Sequence, residues 1–369
     1  MPRTVVLRPY EDRDLPGTLE LRPRVYPGWK DAGDSAWHTA VYEWLGRNPV
    51  DAPMHRWVLD DGGAIVGHLA AVPLAYRIDG IRVIAHTPTD YMALPGYGFH
   101  AVALMRTFFQ AAQSYAACNV AGEVAQIEGM FGPARVAGLA QAVKVLDVGR
   151  YPRLASPVLR PLASVAALGI RAIDAIRVRA PGDGIEVGEA DPASVFDASF
   201  DQLFEAAASA VTCIPEKTAA FLRWRYGPGT PRPVRLLTAR DPMGNLLGYS
   251  VVRTTGSGDG FILDLVTAPG RRDGARALLV GAVRRFWRDR AYVVRYRFLP
   301  STVSPARSDL VRLGFRFPGA ARGVLPGARP ERQLELSVKL ADPASQAAAV
   351  APEHWSYNLG DGEASFWVP

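Results

Sequence analysis

Asp90-Tyr91-Met92-Ala93-Leu94-Pro95-Gly96 and Asp264-Leu265-Val266-Thr267-Ala268-Pro269-Gly270 are two copies of one pattern: an aspartate, four residues, then Pro-Gly. In each copy apolar residues lead into the Pro-Gly, and residues with helical spacing follow it. That order reads as strand, tight turn, helix. The match continues upstream in register. Ile65-Val66-Gly67-His68 corresponds to Leu246-Leu247-Gly248-Tyr249, each after a turn, Asp60-Asp61-Gly62-Gly63 and Asp241-Pro242-Met243-Gly244. Before those turns, Trp57-Val58-Leu59 and Leu236-Leu237-Thr238 read as strands. Further back, Tyr42-Glu43-Trp44 and Leu222-Arg223-Trp224 end two amphipathic helical stretches. Five matches in one order predict a duplicated α/β unit. Two unrelated α/β domains sharing hairpin chemistry are the alternative.

Outward from the two turns, the first unit is expected to run through a helix at 101–117, a short strand at 126–131 and a helix at 134–145. The second mirrors it with a helix at 275–288, a strand at 292–299, a helix at 306–313 closed by Gly314, and a final strand at 333–340. The expected domains are 1–155 and 185–342, joined by a helix and linker at 156–184. A tail at 343–369, carrying Trp355, Tyr357, Phe366 and Trp367, is expected to dock on the second domain. Within the joining segment, Leu159, Leu162, Val165, Ile170, Ile173 and Ile176 form an apolar stripe beside Arg160, Arg171 and Arg177. It reads as an interdomain helix packed by its stripe; a basic amphipathic helix on anionic lipid is the other reading.

Composition sets limits on this picture. The 369 residues are 49% apolar and 21% charged, which suits two folded domains and excludes a disordered chain. Lys plus Arg number 42 against 36 for Asp plus Glu, a net charge of +6 that favours an anionic partner. Two cysteines, Cys118 and Cys213, are too few for a disulfide framework or a cysteine-based zinc site. No histidines pair at metal-ligand spacing, so no metal is expected. With no apolar run of the ~18–20 residues that a membrane span needs, and no apolar segment of signal-peptide type near Met1, a cytoplasmic protein is expected.

The order of elements, with Pro-Gly entering a helix directly after a strand, resembles the GNAT superfamily of acyl-CoA-dependent N-acyltransferases. The duplication resembles the tandem members of that superfamily. Leu310-Val311-Arg312-Leu313-Gly314-Phe315 is similar to the ending of the family's fourth helix. The resemblance implies an α/β (α+β) fold of two tandem GNAT-like units, each a mixed, mostly antiparallel twisted sheet flanked by helices. It also implies transfer of an acyl group from acetyl-CoA or another acyl-CoA to the amine of a small-molecule or carbohydrate acceptor. A Fem-like transferase using aminoacyl-tRNA, and a binding protein that keeps the fold without catalysis, are the alternatives.

On that resemblance the donor's pyrophosphate would lie on the backbone of Gly96, Tyr97, Gly98, Phe99, His100 and Ala101, where a turn opens a helix and leaves N–H groups free. The family's Gln/Arg-x-x-Gly-x-Gly/Ala pattern falls on Gly98, Ala101 and Ala103 there, and on Arg272, Ala275 and Ala277 in the second copy. The tyrosine that many GNAT enzymes carry on the fourth helix has no counterpart: Leu310 stands at its place in the second unit. Asp90 and Tyr91, just before the first loop, and Glu128 beside it are the candidate catalytic residues, a carboxylate there being able to accept the amine proton. Asp90, matched by Asp264, also reads as structural. His68, Trp224, Arg225, Tyr226 and Tyr249 are the candidate acceptor-binding residues, able to stack on and hydrogen-bond a polar ring. Trp224 reads equally well as core.

Overall fold

The computed structural model describes residues 5–120, 123–150, 168–170, 172–174, 176–178, 184–318 and 333–365. Most of the joining segment lies outside the described residues, as do Phe366 and Trp367; of the helix expected at 157–178 the described residues 168–170, 172–174 and 176–177 are helical, and there Ile173 and Ile176 of the apolar stripe are exposed.

The first unit begins with β1 (Val5–Pro9), α1 (Leu15–Val25) and α2 (Ser35–Gly46). A meander of β2 (His55–Asp61), β3 (Ala64–Ile78) and β4 (Ile81–Ala93) leads into α3 (Gly98–Ala111). Next come β5 (Tyr115–Val120), α4 (Glu123–Gly129), β6 (Ala134–Gly138) and β7 (Ala140–Val145). The second unit repeats the order: β8 (Glu186–Ala190), α5 (Ala198–Ala210), β9 (Cys213–Pro215), α6 (Ala219–Tyr226) and β10 (Arg235–Arg240). It continues through β11 (Leu246–Thr254), β12 (Asp259–Thr267), α7 (Arg272–Arg288), β13 (Val293–Leu299) and α8 (Arg307–Arg312). β14 (Leu334–Lys339), α9 (Pro343–Ala349) and β15 (Tyr357–Asn358) close the chain.

Two mixed, mostly antiparallel sheets result, and they exchange strands. The first has the order β1-β2-β3-β4-β5-β14-β6, so a strand from the end of the chain sits between β5 and β6. In the second sheet, β7 from the first half pairs along β13, with Arg316 bridging to Val143 on its other side. Each half therefore lends a late strand to the other. The expected boundaries at 155 and 185–342 cut across both sheets. The strand expected at 333–340 forms, but in the first sheet.

Two elements change type for the same reason. Residues 134–145, expected as a helix, are β6 and β7. The ladders with β14 and β13, both contributed from the second half of the chain, override the local pattern of Ala and Val that suggests a helix. Residues 126–131, expected as a strand, belong mostly to α4, which ends before Gly132 at φ 78°. The helix expected at 101–117 stops at Ala111. Tyr115, Ala116, Ala117 and Cys118 beyond it are buried on both faces, and such strands show no alternation to separate them from helix.

One hydrophobic cluster draws on both sheets: Leu74, Tyr76, Cys118 and Leu336 from the first meet Phe200, Tyr249, Leu263 and Trp355 of the second half. Trp44 and Trp224 lock α2 to α6. Their rings stack at 4.7 Å, and each indole N–H donates to the other's carbonyl at 2.8 Å.

Candidate functional site

Strands β4 and β5 are parallel and pair only at His86 and Tyr115. Beyond that point they part, and a cavity of about 370 Å³ opens beside the split. Asp90 and Tyr91 line it from β4, Asn119 from β5, Glu128 from α4, and Arg22 from α1; Trp29 and Glu363 complete this part of the wall.

Asp90 is the hub of one side. It sits at φ 56°, an uncommon conformation for a non-glycine residue, where β4 slips register against β3. The bulge turns its carboxylate inward, onto the Arg22 guanidinium and the Tyr42 hydroxyl. His68 Nδ1 lies 3.4 Å from the same carboxylate and 3.1 Å from the Asp90 carbonyl. Burial, with Arg56 and Arg22 nearby, pushes the His68 imidazole well below its usual range, so it is neutral. Asp90 therefore spends its charge inside the fold. The tyrosine beside it is also committed: the Tyr91 hydroxyl donates to the Ala101 carbonyl at 2.7 Å, and burial holds its proton on.

Glu128 lies opposite, on the one face of α4 that turns inward. It is 3% exposed. Burial pushes its carboxyl up to about 7, against partial relief from the Asn119 amide, which donates to Oε1 at 2.7 Å, and from the Tyr115 hydroxyl. A carboxyl with that affinity exchanges a proton freely near neutral pH.

After β4 the turn at Pro95-Gly96 opens α3. Gly96 is at φ 95°, and a Cβ on Gly96 or Gly98 would meet nothing within 4 Å, so the backbone is open to close approach. The first turn of α3 carries no acidic residue. The second copy differs. Arg271 pairs with Asp273 at 2.7 Å, in the first turn of α7, and Arg272 pairs with Asp309 at 3.2 Å. Its arginines already have carboxylates, and Asp273 puts a negative charge where an anion would bind.

The split of the second sheet is filled by the chain's own tail. β15 pairs with β13 at Phe298 and Leu299. Asn358 donates to Asp264 at 2.9 Å, and Asp361 meets Lys217, which bonds both Asp264 oxygens at 3.0 Å. Arg225 clamps the same tail by donating to the Gly360 and Gly362 carbonyls and to Ser365 Oγ. The tail then crosses to the first unit, where the turn at 363–365 packs on β4 and β5 and Glu363 Oε1 accepts from the Asp90 amide at 3.3 Å.

Of the residues singled out in the sequence, Asp90, Tyr91 and Glu128 meet in one cavity, and the loop 96–101 stands at the head of the helix that follows β4. The acceptor-binding set does not meet there. Tyr249 is buried with its hydroxyl on Asp264 at 2.9 Å, Arg225 and Tyr226 are buried against the tail, and Trp224 stacks on Trp44. His68 is fully buried behind Asp90. For Arg225, Tyr226 and Tyr249 the physical reason is shared: the tail closes the second cleft and turns its polar lining into core. Sequence reasoning missed Arg22, Tyr42, Asn119 and Glu363. The buried positions of Arg22 and Tyr42 follow from α1 and α2 packing on β3 and β4, which no local pattern reveals.

No family model matches the sequence, and no curated protein sequence matches it. The structure is similar to a tandem GNAT protein from the clavulanic acid biosynthesis pathway, at TM-score 0.54 and 16% identity over 92% of this chain and 99% of that one. The fold is the duplicated GNAT fold. N-myristoyltransferase of Saccharomyces cerevisiae, with myristoyl-CoA bound, matches 92% of this chain and 83% of its own at TM-score 0.57 and 11% identity. A GCN5-related N-acetyltransferase of Anabaena variabilis matches 93% of this chain and 74% of its own at TM-score 0.57 and 13% identity. α4 carries no tyrosine, and Glu128 is the polar residue it buries at the cavity. Among the described residues no helix is long and apolar enough to cross a membrane.

Proposed function

We propose that the chain is an N-acyltransferase in which the first unit alone does the chemistry. An acyl-CoA lays its pyrophosphate on the backbone of Gly96, Gly98, Phe99 and His100 at the start of α3, the Tyr97 and Ala101 amides being already bonded to Leu94 and Tyr97, and the acceptor amine enters the cavity between Asp90 and Glu128. The observation that carries this reading is the Glu128 carboxyl, buried on the cavity wall beside the split of β4 and β5, where burial pushes it up to about 7. It takes the proton that the amine loses as it attacks the thioester carbonyl; the carbon–sulfur bond breaks, and the CoA thiolate leaves as the thiol after taking a proton from water. Asp90, through Arg22, Tyr42 and His68, holds β4 in the bulged shape that shapes the cavity. Tyr91 ties that strand to α3. Holding both reactants in place supplies much of the acceleration, since oriented reactants gain ~7–11 kcal/mol over free encounter. The second unit, its cleft filled by the tail, is structural.

The test is thiol release from acetyl-CoA in the presence of an amine panel, with the acylated product identified by mass. Release that depends on the amine, and that Glu128→Gln abolishes, supports the reading. Unchanged turnover in a folded Glu128→Gln removes it.

A further inference from the structure

One apolar face of the molecule looks outward. In the helical residues between 168 and 177, Ile170 and Asp174 turn inward, as does Val178 just beyond. These stand at four-residue steps and so share one side of a helix. That side is fixed to the fold. Lys144 donates to Asp174 at 2.6 Å and to the Leu313 carbonyl at 2.8 Å, and Arg284 donates to the Val178 carbonyl at 3.0 Å. The opposite side carries Leu168, Ala172 and Ile176 at the same step, with Ile173 beside them. Leu168 is 66% exposed, Ile173 50% and Ile176 68%. A helix packed by one side ordinarily turns polar residues to water on the other; this one turns leucine and isoleucine.

The apolar surface continues across a groove of about 700 Å³, which Ile173 lines together with Val143, Phe315 and Val311. Val311, on α8, is 53% exposed. Arginines frame it. Arg177 and Arg316 line the same groove and are exposed, as is Arg312 beside Val311. The acidic residues are withdrawn: the carboxylates within 168–178 and 307–318 are Asp174 and Asp309, both buried and paired with Lys144 and Arg272. Outward, these two segments offer apolar and cationic groups.

We infer that this face docks on an anionic lipid bilayer, with Ile173 and Ile176 entering the boundary of headgroups and acyl chains and Arg177, Arg312 and Arg316 meeting lipid phosphates. Charge chooses the occupant. A second copy docked by a two-fold axis would set the same arginines against each other. A lipid surface supplies the phosphates they lack, and the net charge of +6 draws the whole chain the same way. The inference stands apart from the acyltransfer reading of the first unit.

The test is flotation of the full chain with vesicles of phosphatidylcholine alone, and of phosphatidylcholine with phosphatidylserine. The chain should float with the second and stay behind with the first. Raising the salt from about 0.1 M to about 1 M shortens the screening length from ~10 to ~3 Å and should weaken the binding. Arg312→Gln with Arg316→Gln should weaken it roughly twentyfold, about fivefold for each arginine. Ile173→Ser with Ile176→Ser should weaken it roughly tenfold or more. All four positions are exposed, so both variants should melt as the wild type does. If the isoleucine variant does not fold, the arginine variant and the wild-type vesicle series decide. No flotation with either vesicle, equal flotation with both, or variants that float like the wild type overturns the inference. So does a dimer in sedimentation that Ile173→Ser with Ile176→Ser splits, since the face would then belong to a second copy.

Discussion

Asp90 and Asp264 stand five residues before the Pro-Gly of their own unit, and each carboxylate meets the residue that follows the matching glycine: His68 after Gly67, Tyr249 after Gly248. The cations differ. Arg22 reaches Asp90 from α1, and Lys217 reaches Asp264 from the turn before α6. Duplication has kept the buried aspartate in both units, and in each it is neutralised from the helical layer. In one unit a cavity remains beside it; in the other, Asn358 and Asp361 fill the space.

Lys217 is 2% exposed and faces two carboxylates. Lys217→Met leaves Asp264 and Asp361 together without a cation in the interior. Breaking a buried pair from one side costs ~3–5 kcal/mol, and urea unfolding should show a loss of that size. Adding Asp264→Asn to the same chain should recover part of it. A variant as stable as the wild type would mean the cluster is not buried as described.

Glu128 gives two pH signatures. As a base it must be ionised, so kcat/KM should rise with pH through about 7 and then level. Glu128→Gln should remove that limb and lower the rate roughly 10²- to 10⁴-fold. The same shift acts on stability. Its folded value lies above the ordinary carboxyl value of 4.5, so the folded protein binds the proton more tightly than the unfolded chain does. The stability this confers is complete at acid pH and is lost as pH rises through about 7. Between pH values of about 5 and 8, the melting temperature of the wild type should therefore fall relative to that of Glu128→Gln.

The two loops should differ in donor binding. Gly98→Val adds a branched side chain at an open, exposed site on the first turn of α3, so the fold should tolerate it. Calorimetry with CoA should show weakened affinity, because the side chain crowds the phosphates. Arg272→Ala removes a pair with Asp309 and should leave that affinity as it is. The reverse result would move the donor to the second unit.

Trp224→Ala removes half of the stack with Trp44 together with the hydrogen bond that the Trp224 indole donates to the Trp44 carbonyl. Large aromatic-to-alanine changes cost ~3–5 kcal/mol. The thermal melt should drop accordingly, and the KM for the acceptor in the folded fraction should not change. A raised KM with an unchanged melt would return Trp224 to the acceptor site.

The duplication was legible because its signals are local: Pro-Gly turns, turn-flanked strands, glycines before His68 and Tyr249. Asp90, Tyr91 and Glu128 were legible because they border the first of those turns or the helix beside it. What could not be read depends on contacts far apart in the chain. Residues 134–145 become strands only because β14 and β13 arrive to pair with them. Tyr249, Tyr226 and Arg225 look like cleft residues until the tail lies over them. Glu363 had no signal at all, since nothing around it marks a carboxylate that ends beside Asp90.

The crossed placement of β7 and β14 also sets a schedule for synthesis. The sheet that starts at Val5 stays open between β5 and β6 until Lys339 has left the ribosome. Until then β5 and β6 present bare edges to whatever strand is nearest, a hazard in a crowded cell. A nascent chain halted near residue 155 is thus an unfinished fold with two sticky margins. The same holds for either half produced by gene splitting: each would be short of the strand the other keeps for it, and co-expression, with the missing strand supplied in trans, is the arrangement under which both could close.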